Sequence, residues 1–167
     1  ARKRVVFLIN SLTGGGAERV MCTLLHHSQA EAREFDITLA VLDDGPRVNV
    51  PPEWLNVRQL DCRGSLLRSM SAVRALFEEL QPDATLSFLT RANVSNVAHA
   101  QGVSIISERT HTSAHFAVGA RGLLSRAMVR MFSPRATRVI AVSEGVAKDL
   151  EHDFAVPHAK FIAIGNP

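Results

Sequence analysis

The sequence is poor in the residue types that mark several classes of binding protein. Its 167 residues include no tyrosine and a single tryptophan, and aromatic residues make up only 5% of the chain. Proteins that bind single-stranded nucleic acid stack the bases on aromatic side chains. The scarcity of such side chains, together with the lack of a nucleic-acid-binding motif, argues against a nucleic-acid partner.

Cysteine is also scarce. The two cysteines, Cys22 and Cys62, form neither a Cys-x-x-Cys pair nor a zinc-binding spacing. Two buried, reduced thiols are therefore expected, which is typical of a cytosolic protein. No cluster of acidic residues follows a strand in the way that a cation site requires, so the sequence predicts no bound metal.

Long apolar runs and runs of like charge are missing as well. The apolar stretch 5–9 is too short for a signal peptide, and no window has the length of a membrane span. These absences predict a cytoplasmic protein. The formal net charge is +3 without a dense basic tract, so a polyanion-binding tail is not indicated. The length fits a single globular domain.

Strand-like and helix-like segments alternate along the whole chain. Strands are predicted at 4–10, 35–42, 56–60, 84–88, 103–107, 137–142 and 160–164, and helices at 17–30, 66–80, 91–100, 119–132 and 143–152. This order predicts an α/β fold, a Rossmann-like doubly wound, mostly parallel sheet with helices on both faces. Ligands of such sheets bind beyond the carboxyl ends of the strands.

Three consecutive glycines, Gly14, Gly15 and Gly16, separate the first strand from the first helix. Glycine lets the backbone approach a ligand closely, and the following helix directs its free N–H groups at that position. The loop therefore predicts a site for an anion or a sugar hydroxyl, or else a tight turn without a ligand. It is neither a G-x-G-x-x-G sequence nor a P-loop, which argues against both of those nucleotide sites.

Arginines surround two of the predicted helices. The first group is Arg63, Arg68 and Arg74; the second is Arg121, Arg126, Arg130, Arg135 and Arg138. In the second helix, arginines alternate with Leu123, Leu124, Met128, Met131 and Phe132. A basic amphipathic helix of this kind can lie on an anionic membrane surface. The alternative is a helix that packs in the core and exposes a basic side to water.

Four motifs occur in order along the chain: GGGAERV at 14–20, SERTHTS at 107–113, VIAVSEGVAKDL at 139–150 and IGNP at 164–167. Together they resemble the N-terminal domain of GT-B fold glycosyltransferases of the retaining family-4 type. The resemblance implies an acceptor-side domain at 1–164, with 165–167 beginning the linker to a donor-binding C-terminal domain. That second domain is not in this sequence, so the chain by itself is expected to be inactive.

The resemblance also implies a reaction. The full-length enzyme would transfer a sugar from a nucleotide-diphosphate sugar, without a further cofactor, to a hydroxyl of a glycan or lipid-linked acceptor. It would work in the cytoplasm, where contact with the inner face of a membrane is an open possibility. The alternative is a stand-alone Rossmann-like module that binds a nucleotide or a phosphorylated ligand without catalysis.

The resemblance points to individual residues. His111 is the catalytic candidate, because the family commonly has a histidine here that contacts the donor sugar near the reacting centre. Gly14, Gly15 and Gly16 would direct N–H groups at the donor diphosphate or the acceptor. Further substrate-binding candidates are Glu18, Arg91, Asn93, Glu108, Arg109 and Ser143. There are structural alternatives for four of the candidates: His111 is an exposed loop histidine, Glu18 complements the helix dipole, Glu108 pairs with Arg109, and Ser143 caps a helix.

Overall fold

The computed structural model describes residues 2–109 and 120–165, without the side chains of Ala120 and Arg121. The strands are β1 (Lys3–Ile9), β2 (Phe35–Val41), β3 (Asn56–Gln59), β4 (Ala84–Phe88), β5 (Val103–Glu108), β6 (Arg138–Ala141) and β7 (Phe161–Ala163). The helices are α1 (Gly16–His27), α2 (Leu66–Leu80), α3 (Thr90–His99), α4 (Ala120–Phe132) and α5 (Glu144–Phe154). Short 3₁₀ turns lie at Glu31–Arg33, Ser133–Arg135 and His158–Lys160. The predicted alternation of strands and helices is confirmed.

The seven strands found in the described residues are all parallel, in the order β3-β2-β1-β4-β5-β6-β7. The strand order reverses at β1, which pairs with β2 on one side and with β4 on the other. Ile9 at the end of β1 lies opposite Phe88 at the end of β4. The loops that follow these two strands therefore flank the crevice in which doubly wound sheets bind their ligands.

Side chains of β1 alternate between two apolar layers, as expected for a central parallel strand. Phe7 and Ile9 pack with α1 and the neighbouring strands. Val6 and Leu8 point the other way and pack with α2 and Ala92 of α3. A third apolar cluster joins α4 and α5 to the strands β5 and β6. The core therefore lies on both sides of the sheet.

Helix boundaries follow local hydrogen bonding. Ser143 caps α5 as predicted, because its hydroxyl accepts a hydrogen bond from the N–H of Val146 at 3.3 Å. The helix predicted at 17–30 ends at His27 instead. There the hydroxyl of Ser28 donates to the carbonyl of Leu24 at 2.8 Å, which satisfies one of the free carbonyls at the helix end.

The two cysteines are buried free thiols, as the sequence predicts. Burial raises the pKa of both thiols, so neither is activated as a nucleophile. Within the described parts of the chain, none of the helices combines the length and apolar character that a membrane-spanning helix needs.

Candidate functional site

The three glycines form an exposed turn between β1 and α1. Gly14 has a φ of +120°, a conformation that side-chain-bearing residues rarely adopt, whereas Gly15 is extended and caps α1. A Cβ atom on Gly14 would lie 3.5 Å from the side chain of Val48. The turn thus depends on glycine at position 14, and its exposed backbone leads directly into the N-terminus of α1.

Glu18 folds back over this turn. It lies in the first turn of α1, and its carboxylate is so close to Gly15 that a Cβ atom there would collide with Oε2 of Glu18. The negative charge complements the positive end of the α1 dipole, which Gly15 cannot cap with a side chain. An anionic ligand that approaches the same N–H groups must therefore move Glu18 aside.

Arg91, in the first turn of α3, forms a bidentate ion pair with Asp43 in the loop after β2. Its Nη1 atom also donates to the hydroxyl of Ser69 in α2 at 3.0 Å. The side chains of Arg91 and Asp43 are only 16% and 22% exposed. Arg91 thus donates three hydrogen bonds to protein groups. Only its remaining N–H groups are available to a substrate.

The same pair sets the charge state of Asp43. Burial raises the pKa of this carboxyl, but hydrogen bonds from Arg91 and from the Gly64 N–H, together with the positive charge of Arg91, outweigh it. The Gly64 bond measures 2.9 Å. The net result is a pKa of Asp43 below its usual value, so the carboxylate is ionised and committed to Arg91.

Asn10 ties this ion pair to the end of β1. Its carbonyl accepts the N–H of Asp43 at 2.8 Å, and its side-chain oxygen accepts the N–H of Ala92 at 3.1 Å. Leu89, just before α3, has a φ of +76° although it is not glycine, a conformation that carries backbone strain. The starts of the loops after β1 and β2 and the first turn of α3 are therefore held together at the point where the strand order reverses.

The structure brings two predicted site residues, Asn93 and Glu108, into direct contact below the surface. The amide of Asn93 donates to Oε1 of Glu108 at 2.8 Å and to the carbonyl of Ser107 at 3.1 Å. Asn93 and Glu108 are each 2% exposed. Since Asn93 has its amide bound inside the protein, its contact with a substrate stays a prediction that needs a rearrangement.

This contact continues into a chain of buried hydrogen bonds between α3 and the sheet. The hydroxyl of Ser87 donates to Asn93 at 2.7 Å and accepts from Asn96 at 3.0 Å. The hydroxyl of Thr85 donates to the side-chain oxygen of Asn96 at 2.6 Å. We call this set the polar ladder: Thr85, Ser87, Asn93, Asn96 and Glu108.

Of the polar ladder, only Asn93 and Glu108 were predicted from the sequence as site residues. The rest had a weak signal in the sequence. Thr85 and Ser87 alternate in a short strand, and Asn93 and Asn96 are three residues apart in a helix, so each pair shares a face. Such spacing alone does not tell whether the polar face meets water or the sheet.

Arg109 lies on the other side of the sheet from the polar ladder. Its guanidinium is 4.8 Å from the ring centroid of Phe88, and Nη1 donates to the hydroxyl of Ser107 at 3.4 Å. Burial lowers its pKa, although arginine remains charged at any physiological pH. Arg109 lines one end of an apolar groove of about 480 Å³ between α1 and the sheet.

Ser143 and His111 complete the set of predicted residues. Ser143 is exposed at the carboxyl end of β6, where its hydroxyl caps α5. His111 lies outside the described residues, so its catalytic role stays a prediction. Within residues 2–109 and 120–165, no three or more His, Cys, Asp or Glu side chains form a group that could hold a metal ion.

Chemically, this edge of the sheet is suited to polar, anionic ligands. It combines the exposed turn at Gly14 and the N-terminus of α1, which Glu18 covers, with the N-terminus of α5 further along the edge, which Ser143 caps. Backbone N–H groups fixed in this way stabilise negative charge without reorganising.

Solved structures of the same fold include both transferases and epimerases. The chain is similar to the lipopolysaccharide outer core galactosyltransferase WaaB, with 13% identity and a TM-score of 0.67, over 98% of this chain and 46% of that one. It is similar to sucrose-phosphate synthase from Thermosynechococcus elongatus (11%, TM-score 0.67, 98% and 48%). It is also similar to UDP-N-acetylglucosamine 2-epimerase from Rickettsia bellii (9%, TM-score 0.69, 99% and 45%). These identities establish the fold alone.

The chain therefore spans about half the length of the solved structures that it matches. No curated protein sequence matches it closely enough to count as a relative. The family description "Glycosyltransferase Family 4" matches residues 14–167, which is nearly the whole chain. The chain belongs to glycosyltransferase family 4, and its fold is that of the N-terminal domain of a GT-B enzyme.

Proposed function

We propose that this domain is the acceptor-side half of a retaining glycosyltransferase. The enzyme moves a sugar from a nucleotide-diphosphate sugar to a hydroxyl of a glycan or lipid-linked acceptor. Its second half, a C-terminal domain, binds the donor and closes over the carboxyl edge of the sheet. The 1–167 chain by itself is inactive, because the donor site is shared with that second half.

One observation carries the proposal. The glycine turn is exposed at the point where the strand order reverses, and it opens the N-terminus of α1 toward the crevice. Sugar transfer leaves negative charge on the departing phosphate, and fixed N–H dipoles stabilise that charge without reorganising. Glu18, which covers Gly15 in the structure described here, moves aside when the diphosphate arrives.

The other candidates divide into two groups. His111, Arg109 and Ser143 contact the substrates from the loops after β5 and β6. Arg91, Asn93 and Glu108 act mainly by fixing α3 against the sheet and against the loop after β2, because their side chains are engaged with Asp43, with Ser87 and with each other. We place the enzyme in the cytoplasm, and a lipid-linked acceptor would bring it to the inner face of a membrane.

Release of nucleotide diphosphate from a panel of nucleotide-sugars, with and without candidate acceptors, tests the proposal. We expect the full-length protein to turn over one donor and the 1–167 chain to turn over none. His111→Ala should lower kcat by at least about 10²-fold. The matched control is His152→Ala, which removes a histidine that is 89% exposed on α5 and should leave turnover unchanged.

Two results would contradict the proposal. A full-length protein that converts no donor, yet binds a nucleotide tightly, would identify a binding module instead of an enzyme. Conversion of a UDP-sugar into its epimer without an acceptor would assign the epimerase chemistry named for the Rickettsia bellii structure. Equal loss of activity in both histidine variants would remove His111 from the catalytic site.

A further inference from the structure

A cavity of about 730 Å³ opens at the amino edge of the sheet, where the strands begin, opposite the candidate site. It is larger than the apolar groove beside α1, and its size is typical of ligand pockets. The start of β2 and the 3₁₀ turn Glu31–Arg33 form two of its sides. We call it the amino-edge cavity and define it by six of its lining residues: Arg2, Gln29, Arg33, Phe35, Asp36 and Trp54.

Two aromatic side chains form an apolar wall of the amino-edge cavity. Phe35 begins β2, and Trp54, the only tryptophan in the sequence, lies just before β3. Both are half-buried and pack against the apolar cluster between α1 and the sheet. Because the core already holds both rings in place, a ligand that lies against them pays little conformational entropy. The wall is therefore suited to the apolar face of a ring-shaped ligand.

Polar groups surround the aromatic wall. The hydroxyl-binding capacity of the cavity is unused, because four of its polar side chains form no hydrogen bond or ion pair within the described residues: Gln29, Arg33, Asp36 and Trp54. Nη1 of Arg2 donates to the carbonyl of Ala32 at 2.9 Å, which holds the guanidinium beside the 3₁₀ turn. The cavity thus offers hydrogen-bond donors and a carboxylate acceptor next to an aromatic surface.

The charge around the amino-edge cavity is mainly positive. An adjoining cavity of about 550 Å³ shares Arg2 and Asp36 with it. Together the two cavities are lined by four cationic side chains and two carboxylates: Arg2, Lys3, Arg4 and Arg33 against Asp36 and Asp83. One of these carboxylates is already engaged, because Asp83 accepts the backbone N–H of Arg4 at 2.8 Å. The surroundings therefore favour a ligand with negative charge.

We propose that the amino-edge cavity binds an acidic oligosaccharide, a glycan segment that carries carboxylate or phosphate groups. One sugar ring lies with its C–H face on Trp54, its hydroxyls bond to Gln29 and Asp36, and an acidic substituent pairs with Arg33. A nucleotide fits less well. Its phosphates favour a helix N-terminus or a glycine-rich loop, and the described lining includes neither.

The amino-edge cavity lies far from the candidate site. Strand β1 has seven residues, so the two edges of the sheet are about 20 Å apart. The choice of a glycan as ligand rests on the proposed function, in which the acceptor is a glycan or a lipid-linked sugar. A long acceptor is then held at two places, which raises its overall affinity above that of a short one.

Retention on immobilised oligosaccharides tests the cavity. The full-length protein is applied, without a nucleotide-sugar, to acidic oligosaccharides (oligogalacturonates, hyaluronan fragments and phosphorylated malto-oligosaccharides) and to neutral malto-oligosaccharides. We expect retention by at least one acidic member and not by the neutral ones, with a marked loss at high salt. Arg33→Glu should weaken this binding by about three- to tenfold.

The matched control is Arg68→Glu, which makes the same charge change at an exposed position of α2. Helix α2 covers the other face of the sheet, so this variant should bind like the wild type. A second pair of variants tests the aromatic wall. Trp54→Leu should bind at least about tenfold more weakly, whereas Trp54→Phe keeps an aromatic ring and should retain most of the binding. Circular dichroism checks that all four variants fold.

Three results would overturn the proposal. The first is retention by no acidic oligosaccharide, or equal retention by acidic and neutral ones. The second is an equal affinity of Arg33→Glu and Arg68→Glu. The third is a single-stranded oligonucleotide that binds more tightly than every acidic oligosaccharide and depends on Arg33, because the ligand would then be a nucleic acid.

Sugar transfer by the same full-length protein is measured separately. Turnover of a donor without retention would refute the amino-edge cavity and leave the proposed function standing. Retention that depends on Arg33 and Trp54, without turnover of any donor, would refute the proposed function and support the cavity as a glycan-binding site.

Discussion

Helices α1 and α3 cover opposite faces of the same parallel sheet by different means. Helix α1 meets the sheet through apolar side chains, chiefly Met21 and Leu25, both fully buried. Helix α3 buries Asn93, Ser95 and Asn96, and two of these are hydrogen-bonded to polar side chains of the strands below. One interface is held by the hydrophobic effect and the other largely by matched polar partners.

The difference bears on how precisely each helix is placed. Apolar contacts are non-directional, so α1 can shift slightly while its burial is preserved. Hydrogen bonds are directional, and a buried polar group that loses its partner destabilises the fold by its desolvation free energy. The polar ladder therefore fixes α3, and with it Arg91 and Asn93, more sharply than apolar packing would. Four predictions test this comparison.

The largest effect is expected at the apolar interface. Leu25→Ala should lower the free energy of unfolding by about 2–5 kcal/mol, because it removes fully buried methyl groups and leaves a cavity. Leu24→Ala, one position earlier and 40% exposed, should change it by about 0.5 kcal/mol or less. Urea unfolding followed by circular dichroism measures both. Similar losses in the two variants would contradict the assigned packing of α1.

At the polar ladder, Asn96→Ala should cost about 1–3 kcal/mol, because it removes a partner of Thr85, of Ser87 and of the Ile105 carbonyl. The double variant Thr85→Val/Asn96→Leu removes one donor together with its acceptor. Its cost in unfolding free energy should be less than the sum of the costs of Thr85→Val alone and Asn96→Leu alone. Strict additivity in urea unfolding would mean that the ladder is not a coupled network.

The ion pair of α3 should contribute less, because it is partly exposed. Asp43→Asn should lower the free energy of unfolding at neutral pH by about 1–2 kcal/mol. Since the folded pKa of Asp43 lies below its usual value of about 3.9, its contribution is complete above that value and fades as the pH falls through the folded pKa. The wild type and the variant should therefore converge in acid. A difference that is constant between pH 6 and pH 3 would argue against the pair.

The smallest effect is expected at the far end of α3. Burial lowers the pKa of His99, as does the charge of Arg74, while Glu78 opposes them. Its Nε2 atom is buried without a hydrogen-bond partner among the described residues. The unfolded chain therefore takes up a proton first as the pH falls below about 6.5, and the fold loses stability. His99→Gln should reduce that loss between pH 7.5 and pH 5.5, and an identical pH dependence in both proteins would refute this.

Elements with strong local signals were predictable from the sequence. The bounds of α2 at Leu66–Leu80 and of β4 at Ala84–Phe88 agree with the prediction, because Ser65 caps the helix and a Gln-Pro-Asp turn separates the two elements. The predicted end of α1 lies too late in the chain. The helix ends where the hydroxyl of Ser28 donates to the carbonyl of Leu24, and the spacing of apolar residues does not predict that bond.

The candidate site was less predictable than the fold. The glycine turn is a local feature, and its place before α1 followed from the sequence. Arg91 was predicted to contact a substrate, but its partner Asp43 is 48 residues away in the chain and invisible to local reasoning. The same holds for Glu108, whose contact with Asn93 depends on how α3 lies across β4 and β5.

The sequence by itself determined the α/β alternation, the glycine turn, the two buried thiols and the membership in a family, because each depends on neighbouring residues and their order. Tertiary structure alone decided that Asn93 and Glu108 meet below the surface, that Asp43 binds Arg91, and that the outer face of α4 is left apolar and exposed. These outcomes join residues far apart in the chain. They follow from which faces of the helices and strands meet in the folded domain, and no local pattern specifies that.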